Sequence, residues 1–185
     1  MAKTAGTPVN LKRRSRKLIE IESGRDGRPG LASLEISDGE LLGRLFCRLS
    51  PDSVYRRFLS PISKPDYFIR LLLRVDHYNR EAIAAVERGE IVGVAQYARL
   101  PGASQADVAI VVADSWQRQG LGTRLITALA DRAVANGIDA FAVAIQGDNF
   151  GGQRLLMRLA SGARLKYSAG VGEAVIPLTT EKGHE

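Results

Sequence analysis

The 185-residue sequence predicts an α/β (α+β) fold in which helices cover both faces of a mixed, mainly antiparallel central sheet. Apolar, β-branched segments of strand length alternate with amphipathic helical segments, and short glycine-containing turns join neighbouring strand segments. The hydrophobic fraction of 45% and the charged fraction of 25% are ordinary for a globular domain. A chain of this length suits a single core.

The first half of the chain predicts three helices followed by a hairpin. The first two helices each begin after an Asp or Ser cap. A turn at 87–90 separates two apolar segments and is a hairpin signal. An earlier segment, 18–23, is a candidate first strand. The predicted helices are at about 38–49, 51–58 and 65–75, and the predicted strands are Glu81–Val86 and Ile91–Ala98.

The second half alternates strands and helices. The nearly continuous apolar segment 107–113 is typical of a buried central strand. A helix with one apolar face follows and ends at Asn136 and Gly137, which form a good C-terminal cap. A strand at 140–145 and a helix at 152–159 come next. The chain then predicts a hairpin from 163–169 and 173–178, with Gly170 and Gly172 in its turn.

A two-glycine turn between a strand and a helix is the most informative feature of this chain. Gly120 and Gly122 lack Cβ, so the main chain can adopt positive φ angles and approach a ligand closely with its N–H groups exposed. The helix that follows adds the positive end of its dipole. The turn therefore predicts a ligand that carries a pyrophosphate group.

The spacing of this turn separates three kinds of phosphate site. A P-loop requires lysine directly after the last glycine, whereas Thr123 and Arg124 follow Gly122. A dinucleotide fingerprint requires a third glycine where Leu125 stands. The pattern Q/R-x-x-G-x-G/A remains, and residues 117–122 resemble the acetyl-CoA signature of the GNAT superfamily of N-acetyltransferases. The order of strand, turn, helix, strand, Asn149 and helix extends this resemblance over residues 31–180.

Within the superfamily, the chain is similar to bacterial protein-lysine acetyltransferases of the Pat type. The similar passages are Leu49–Leu59, Asp76–His77, Gly89–Ala95 and Ala106–Ala109. The resemblance implies an acyltransferase that uses acetyl-CoA as acetyl donor and no metal. It also implies that two central strands splay apart to admit the pantetheine arm. The leading acceptor is a protein lysine, attacked directly in a ternary complex. A small-molecule amine acceptor and a non-catalytic CoA-binding regulatory protein remain alternatives.

Lysine acetylation requires a base, because only about one lysine in 2,500 is neutral near pH 7. Asp107 is the candidate, since it matches the position at which Pat-type enzymes carry a glutamate. Aspartate is one methylene shorter, which withdraws the carboxylate by roughly 1.5 Å. It could act directly or through a water that relays the proton. Glu90, Asp76 and His77 are reserve bases, and His77 is expected in a loop.

The resemblance also implies which groups bind the cofactor. Backbone groups of one strand would hold the pantetheine and the acetyl carbonyl, and loop amides would bind pyrophosphate. Arg118 or Arg124 would add charge, and Asn149 would hydrogen-bond the pantetheine arm. Leu156 stands where many members carry a tyrosine acid, so Tyr167 or solvent would protonate the thiolate. The cofactor-binding candidates are Ile110, Val111, Val112, Gln117, Arg118, Gln119, Gly120, Leu121, Gly122, Thr123 and Asn149.

The net charge of +6 is concentrated in the N-terminal part of the chain. Residues 1–30 hold eight Lys or Arg residues against three acidic ones. We therefore divide the chain into a basic, flexible N-terminal arm at 1–17 and a single acetyltransferase domain at 18–185. The arm has no aromatic residue for base stacking, so nucleic acid is not the expected partner, although binding through the arm remains an alternative hypothesis.

Composition also predicts the setting of the protein. The apolar segments are shorter than the ~20 residues of a membrane helix, and the basic start lacks an apolar signal region. The single cysteine, Cys47, suits a reducing compartment and is expected to be buried. Trp116 is expected to be half-exposed and packed against a helix. A cytoplasmic monomer or homodimer without membrane association is predicted.

Overall fold

The computed structural model describes residues 27–59, 62, 65–160 and 163–178. One mixed sheet lies at the centre of this structure. The spatial order of the strands is β1-β2-β3-β4-β5-β7-β6. Every neighbouring pair is antiparallel except β4 and β5. The strands are β1 (Gly30–Ser33), β2 (Arg80–Glu87), β3 (Glu90–Ala98), β4 (Gln105–Val112), β5 (Ala140–Gln146), β6 (Lys166–Ser168) and β7 (Val171–Pro177).

In the described ranges five α-helices connect these strands, and local capping explains the start of the second and the end of the fourth. Ser50 caps the second helix, where its Oγ accepts a hydrogen bond from the Ser53 amide and Pro51 occupies the first turn. Gly137 follows the fourth helix with a φ of 74°, as its predicted cap requires. The helices are α1 (Gly39–Cys47), α2 (Pro51–Phe58), α3 (Pro65–Leu72), α4 (Leu121–Ala135) and α5 (Phe150–Leu159).

Alternate residues of the strands contribute to two hydrophobic cores, one on each face of the sheet. On one face, Leu125 and Leu129 of α4 pack with Phe141 of β5. On the other face, Leu42 and Leu45 of α1 pack with Val94 of β3 and with further apolar residues. The predicted mixed, mainly antiparallel sheet with helices on both faces is therefore confirmed.

Strands β4 and β5 separate after a short parallel ladder. Only three register pairs join them, from Gln105 with Ala140 to Asp107 with Ala142. Beyond this point β4 stays paired with β3 as far as Val112, while β5 stays paired with β7 as far as Gln146. Each strand thus follows a different neighbour, and a wedge opens between them. This confirms the expected splay.

Several predicted boundaries differ from the structure. The first helix covers only 39–47 and is preceded by a 3₁₀ turn at 36–38, and α3 ends at Leu72 rather than near 75. Strand β1 at Gly30–Ser33 was not predicted, because four residues are too few to show the hydrophobic alternation of a strand. The candidate strand at 18–23 lies outside the described residues.

Two residue-level predictions were wrong. Cys47 is exposed, because the buried positions of α1 are Leu42, Leu45 and Phe46 and the last residue of the helix turns away from them. Gly172 lies in β7 rather than in the hairpin turn, which contains Gly170. A Cβ on Gly172 would lie 2.9 Å from the Tyr167 ring, so glycine is required there by close packing.

Candidate functional site

A cavity of about 430 Å³ opens at the wedge between β4 and β5. Its walls come from α2, the end of β4, the glycine turn with the start of α4, and the first turns of α5. The structure thus brings most of the predicted cofactor-binding residues together. Those that line the cavity are Ile110, Val111, Val112, Gln117, Arg118, Gly120, Gly122, Thr123 and Asn149.

The two remaining cofactor candidates do not line this cavity. The Gln119 side chain donates to the Ser115 carbonyl at 2.7 Å and lines an adjacent cavity of about 360 Å³. Leu121 places its side chain in the hydrophobic core against α4 neighbours, so only its backbone could serve a ligand. Trp116 is half-buried, packs against both cores and borders the adjacent cavity, as its predicted packing requires.

The glycine turn has the backbone conformation that an anion site needs. Gly120 has a φ of 80°, and Arg118 also lies in the left-handed region with a φ of 60°. A Cβ on Gly120 would meet no atom within 4 Å, so glycine is required by the backbone angle and not by crowding. The first amides of α4 lack intrahelical acceptors and lie at the positive end of the helix dipole.

A hydrogen-bond network joins α2 to this turn. Asp114 accepts from the Ser50 amide at 2.9 Å, from the Ser50 hydroxyl at 2.9 Å and from the Ser53 hydroxyl at 2.8 Å. Gln117 donates through Nε2 to Ser53 Oγ and to the Val112 carbonyl, each at 3.0 Å. Partial burial opposes ionisation of Asp114, but these hydrogen bonds outweigh it and lower its pKa. The network fixes the entry to the turn.

The cavity lining is strongly basic. Among its described lining residues none is Asp or Glu, so a positive potential is expected throughout. Burial lowers the pKa of the Arg57 guanidinium to about 10, and this group lies 4.8 Å from the Phe58 ring centroid. Arg56 is paired with Asp52 at 2.9 Å. The lining arginines are Arg56, Arg57, Arg118, Arg154 and Arg158.

Sequence reasoning missed part of this lining. The lining residues that were not predicted as site residues are Ser53, Arg56, Arg57, Gly151, Gly152, Arg154, Leu155 and Arg158. A signal was present for two of them, because Arg154 and Arg158 are four residues apart and share one face of a helix. That α5 places this face toward the wedge depends on tertiary packing.

Asp107 lies at the apex of the wedge, outside the cavity lining. Its side chain is exposed, and its register partners are Ala98 on β3 and Ala142 on β5. Neighbouring positions on this face carry small side chains, including Ala109. The carboxylate is thus reachable from solvent and adjacent to the point where β4 and β5 part.

The three reserve bases have structural partners elsewhere. Asp76 Oδ1 accepts from the Tyr78 and Arg80 amides at 2.9 and 2.8 Å. His77 lies in the loop before β2, as predicted, and its Nδ1 is 3.0 Å from the buried Glu81 carboxylate. Glu90 pairs with Arg44 at 3.1 Å and with Arg48. None of the three lines the cavity.

Residues after β5 complete the site. Asn149 caps α5 by accepting from the Gly152 amide through Oδ1 at 2.9 Å, and it also lines the cavity. Leu156 is buried and apolar, so it offers no acid. Tyr167 is exposed and packs beside Gly147 and Gly172, and it is not part of the cavity lining.

The described part of the chain has neither a metal-binding cluster nor a membrane-spanning helix. Within it, no group of three or more His, Cys, Asp or Glu side chains has the proximity needed to hold a metal ion. No helix in the same ranges has both the length and the apolar character to cross a membrane.

Comparison with known proteins decides the family. Residues 44–160, more than half of the chain, match the acetyltransferase (GNAT) family. The chain belongs to this family. The GNAT resemblance of its turn, splay and element order is thereby confirmed.

Individual relatives agree with this assignment. An acetyltransferase of Pseudomonas aeruginosa is 33% identical over 123 residues, which are 63% of this chain and 66% of that protein. The match thus spans slightly less than two thirds of that relative. The GNAT domain of S. lividans PAT is 24% identical, with a TM-score of 0.75 over 81% of this chain and 90% of the other. A phosphinothricin acetyltransferase from Sinorhizobium meliloti, solved with acetyl-CoA, is 16% identical, with a TM-score of 0.64 over 85% of this chain and 92% of the other.

Proposed function

We propose that this GNAT protein transfers the acetyl group of acetyl-CoA to the ε-amine of a protein lysine by direct attack in a ternary complex. The observation that carries the proposal is the coincidence of three features in one cavity. A left-handed glycine turn, the first amides of α4 and the open wedge between β4 and β5 all border it. A pyrophosphate with an extended arm fits this combination.

The charge of the cavity supports CoA as the ligand. CoA carries a pyrophosphate and a 3′-phosphate, and the lining supplies five arginines without a carboxylate. The partly buried Arg57 guanidinium gains from such an anion, because its charge is only partly solvated until it is paired. Guanidinium groups also bind phosphate oxygens through two parallel hydrogen bonds.

We assign the parts of the ligand to the residues as follows. Amides from Gln119 through Thr123 bind the pyrophosphate. Backbone groups of Ile110, Val111 and Val112 hold the pantetheine and the acetyl carbonyl, since β4 has no β5 partner at these positions. Asn149 uses Oδ1 for its own helix and has its Nδ2 group to donate to the pantetheine arm.

Asp107 is the proposed base. Its position at the apex of the wedge is where an amine on the open face could meet a thioester that enters along β4. The carboxylate removes the proton from the attacking amine, and positioning within the wedge supplies much of the remaining acceleration. The thiolate leaves readily, with an ordinary thiol pKa of about 8.5, so solvent can protonate it.

The surroundings of Asp107 favour a protein lysine as acceptor. A small amine would need a compact acidic pocket from Asp66, Asp76 or Glu90, but Asp76 and Glu90 have the structural partners described above and Asp66 is exposed on α3. Asp107 is exposed and its register partners are the small residues Ala98 and Ala142, which suits a long lysine side chain presented by another protein. The basic arm at 1–17 lies outside the described residues, and nucleic-acid binding through it remains untested.

Calorimetric titration with acetyl-CoA, followed by thiol release in the same sample, tests the proposal. We expect saturable binding and thiol release that depends on a lysine-rich protein such as a histone. Thiol release with a small amine but not with the protein would show that the acceptor is a small amine and not a protein lysine. Binding without release from any acceptor would favour a regulatory CoA-binding protein, and the absence of binding would overturn the proposed function.

A further inference from the structure

A second cavity, of about 360 Å³, adjoins the cofactor cavity at the glycine turn. Gly120, Thr123 and Arg158 line both cavities. The other walls of the second cavity come from the segment 27–29, which precedes β1, and from the start of α4. A ligand group that is bound at the glycine turn therefore borders the second cavity as well as the first.

The second cavity is basic. Arg28, Arg124 and Arg158 line it, and none of its described lining residues is Asp or Glu. Arg28 and Arg158 are exposed, and within the described ranges neither of them forms an ion pair. Two guanidinium groups thus border one open space without a carboxylate to neutralise them, which is the composition of an anion site.

The segment that carries Arg28 is held at the edge of this cavity. Pro29 is buried, and its carbonyl accepts a hydrogen bond from Arg124 Nη1 at 3.1 Å. Strand β1 begins at the next residue, where Gly30 pairs with β2. Arg28 lies outside the range 44–160 that matches the GNAT family, so its place beside the glycine turn is not part of that match.

CoA carries one phosphate to which the proposed pantetheine and pyrophosphate contacts assign no residue. This 3′-phosphate is attached to the ribose that follows the pyrophosphate, so one sugar separates the two groups. With the pyrophosphate on the amides of the glycine turn, the 3′-phosphate lies one sugar away from Gly120 and Thr123, which line both cavities. A phosphate monoester carries a charge of about −1.5 to −2 at pH 7, which matches two guanidinium groups.

We propose that Arg28 and Arg158 bind the 3′-phosphate of CoA in this second cavity, and that they make the protein selective for acetyl-CoA over acetyl-dephospho-CoA. This inference rests on the proposed acetyl-CoA-dependent function. Arg124 is a positioning residue in this site, because its hydrogen bond holds Pro29, the neighbour of Arg28. The selectivity depends on the 3′-phosphate alone, since the two donors share every other group.

Calorimetric titration with acetyl-CoA and with acetyl-dephospho-CoA, in the absence of an acceptor, tests the proposal. Each contact of an exposed charge contributes about two- to fivefold in affinity, so we expect the parent to bind acetyl-CoA roughly tenfold more tightly than acetyl-dephospho-CoA. Arg28→Met should weaken acetyl-CoA binding about two- to fivefold and leave the affinity for acetyl-dephospho-CoA unchanged. The double variant Arg28→Met/Arg158→Met should bind the two ligands with equal affinity.

Arg70→Met is the matched control. It removes an exposed arginine from α3 that lines neither cavity, so both affinities should equal those of the parent. Equal affinities of the parent for the two ligands would overturn this inference and leave the proposed function intact. The same holds if Arg28→Met leaves acetyl-CoA binding unchanged, or if it weakens the binding of both ligands alike. A parent protein that binds neither ligand would overturn both the inference and the proposed function.

Discussion

Asp107 and Ala142 form the last pair of the parallel ladder between β4 and β5. Immediately beyond this pair the two strands follow different neighbours, and the wedge begins. The carboxylate therefore stands at the closed end of the wedge, whereas the glycine turn and the arginines stand at its open end. This arrangement separates the chemical step from cofactor binding, and the two can be tested independently.

Asp107→Ala should abolish most of the turnover without weakening acetyl-CoA binding. General-base removal costs roughly 10²–10⁴-fold in rate, and Asp107 is not part of the cavity lining. Stopped-flow detection of released thiol from pH 6 to 9, with calorimetry for affinity, measures both quantities. Asp131→Ala removes an exposed carboxylate from α4 and should behave like the parent. Equal rates for the parent and Asp107→Ala over this pH range would assign the base elsewhere.

The two glycines of the turn should respond differently to alanine. Gly120→Ala forces a side chain into the left-handed region, which costs about 1–2 kcal/mol of stability and displaces the amides. Gly122 has no positive φ, and its Cβ would make ordinary contacts of 3.4 Å to Leu155 and 3.6 Å to Ile110. Urea unfolding should show a lower free energy of unfolding for Gly120→Ala, and titration should show that this variant binds acetyl-CoA more weakly. Neither change is expected for Gly122→Ala. Similar behaviour of the two variants would contradict the assignment of the turn.

Local signals in the sequence predict most of the fold but only part of the site. The caps at Ser50 and Gly137, the hairpin turn at 87–90 and the glycine turn are encoded within a few residues, and the structure confirms them. The arginines of α2 and α5 meet in one cavity only because β4 and β5 part between them. Such a meeting depends on long-range packing, for which a periodic pattern carries no signal.

Arg57→Met should have opposite effects on stability and on ligand binding. Burial lowers the pKa of Arg57 to about 10, so at every pH below that value the folded protein holds a charge that burial disfavours. Removing the charge should leave the free energy of unfolding unchanged or higher. Loss of a charge-assisted hydrogen bond of about 1.5–3 kcal/mol should weaken acetyl-CoA binding roughly 10- to 100-fold.

Salt dependence provides the control for this prediction. The affinity of the parent for acetyl-CoA should fall as ionic strength rises. The slope of log affinity against log ionic strength should be shallower for Arg57→Met. Arg57→Lys keeps a charge but not the planar donor pair, so it should restore the slope and only part of the affinity. Arg74→Met, which removes an arginine outside the cavity lining, should match the parent. A Met variant that is both unstable and fully able to bind would refute the assignment.

Asp114→Asn should destabilise the protein at neutral pH and have little effect in acid. Hydrogen bonds from Ser50 and Ser53 hold the pKa of Asp114 below its ordinary value despite partial burial. Its contribution is therefore complete above the unfolded-state pKa of about 3.9 and is lost as the pH falls through the lower folded-state pKa. We expect a deficit below about 1 kcal/mol at pH 7, because a weaker neutral acceptor replaces a charged one and solvent screens the exposed carboxylate. This deficit should shrink progressively below pH 4 in urea unfolding curves. Asp131→Asn controls for the loss of one negative charge, and a deficit in Asp114→Asn that stayed constant down to pH 3 would show that the network does not depend on the ionised carboxylate.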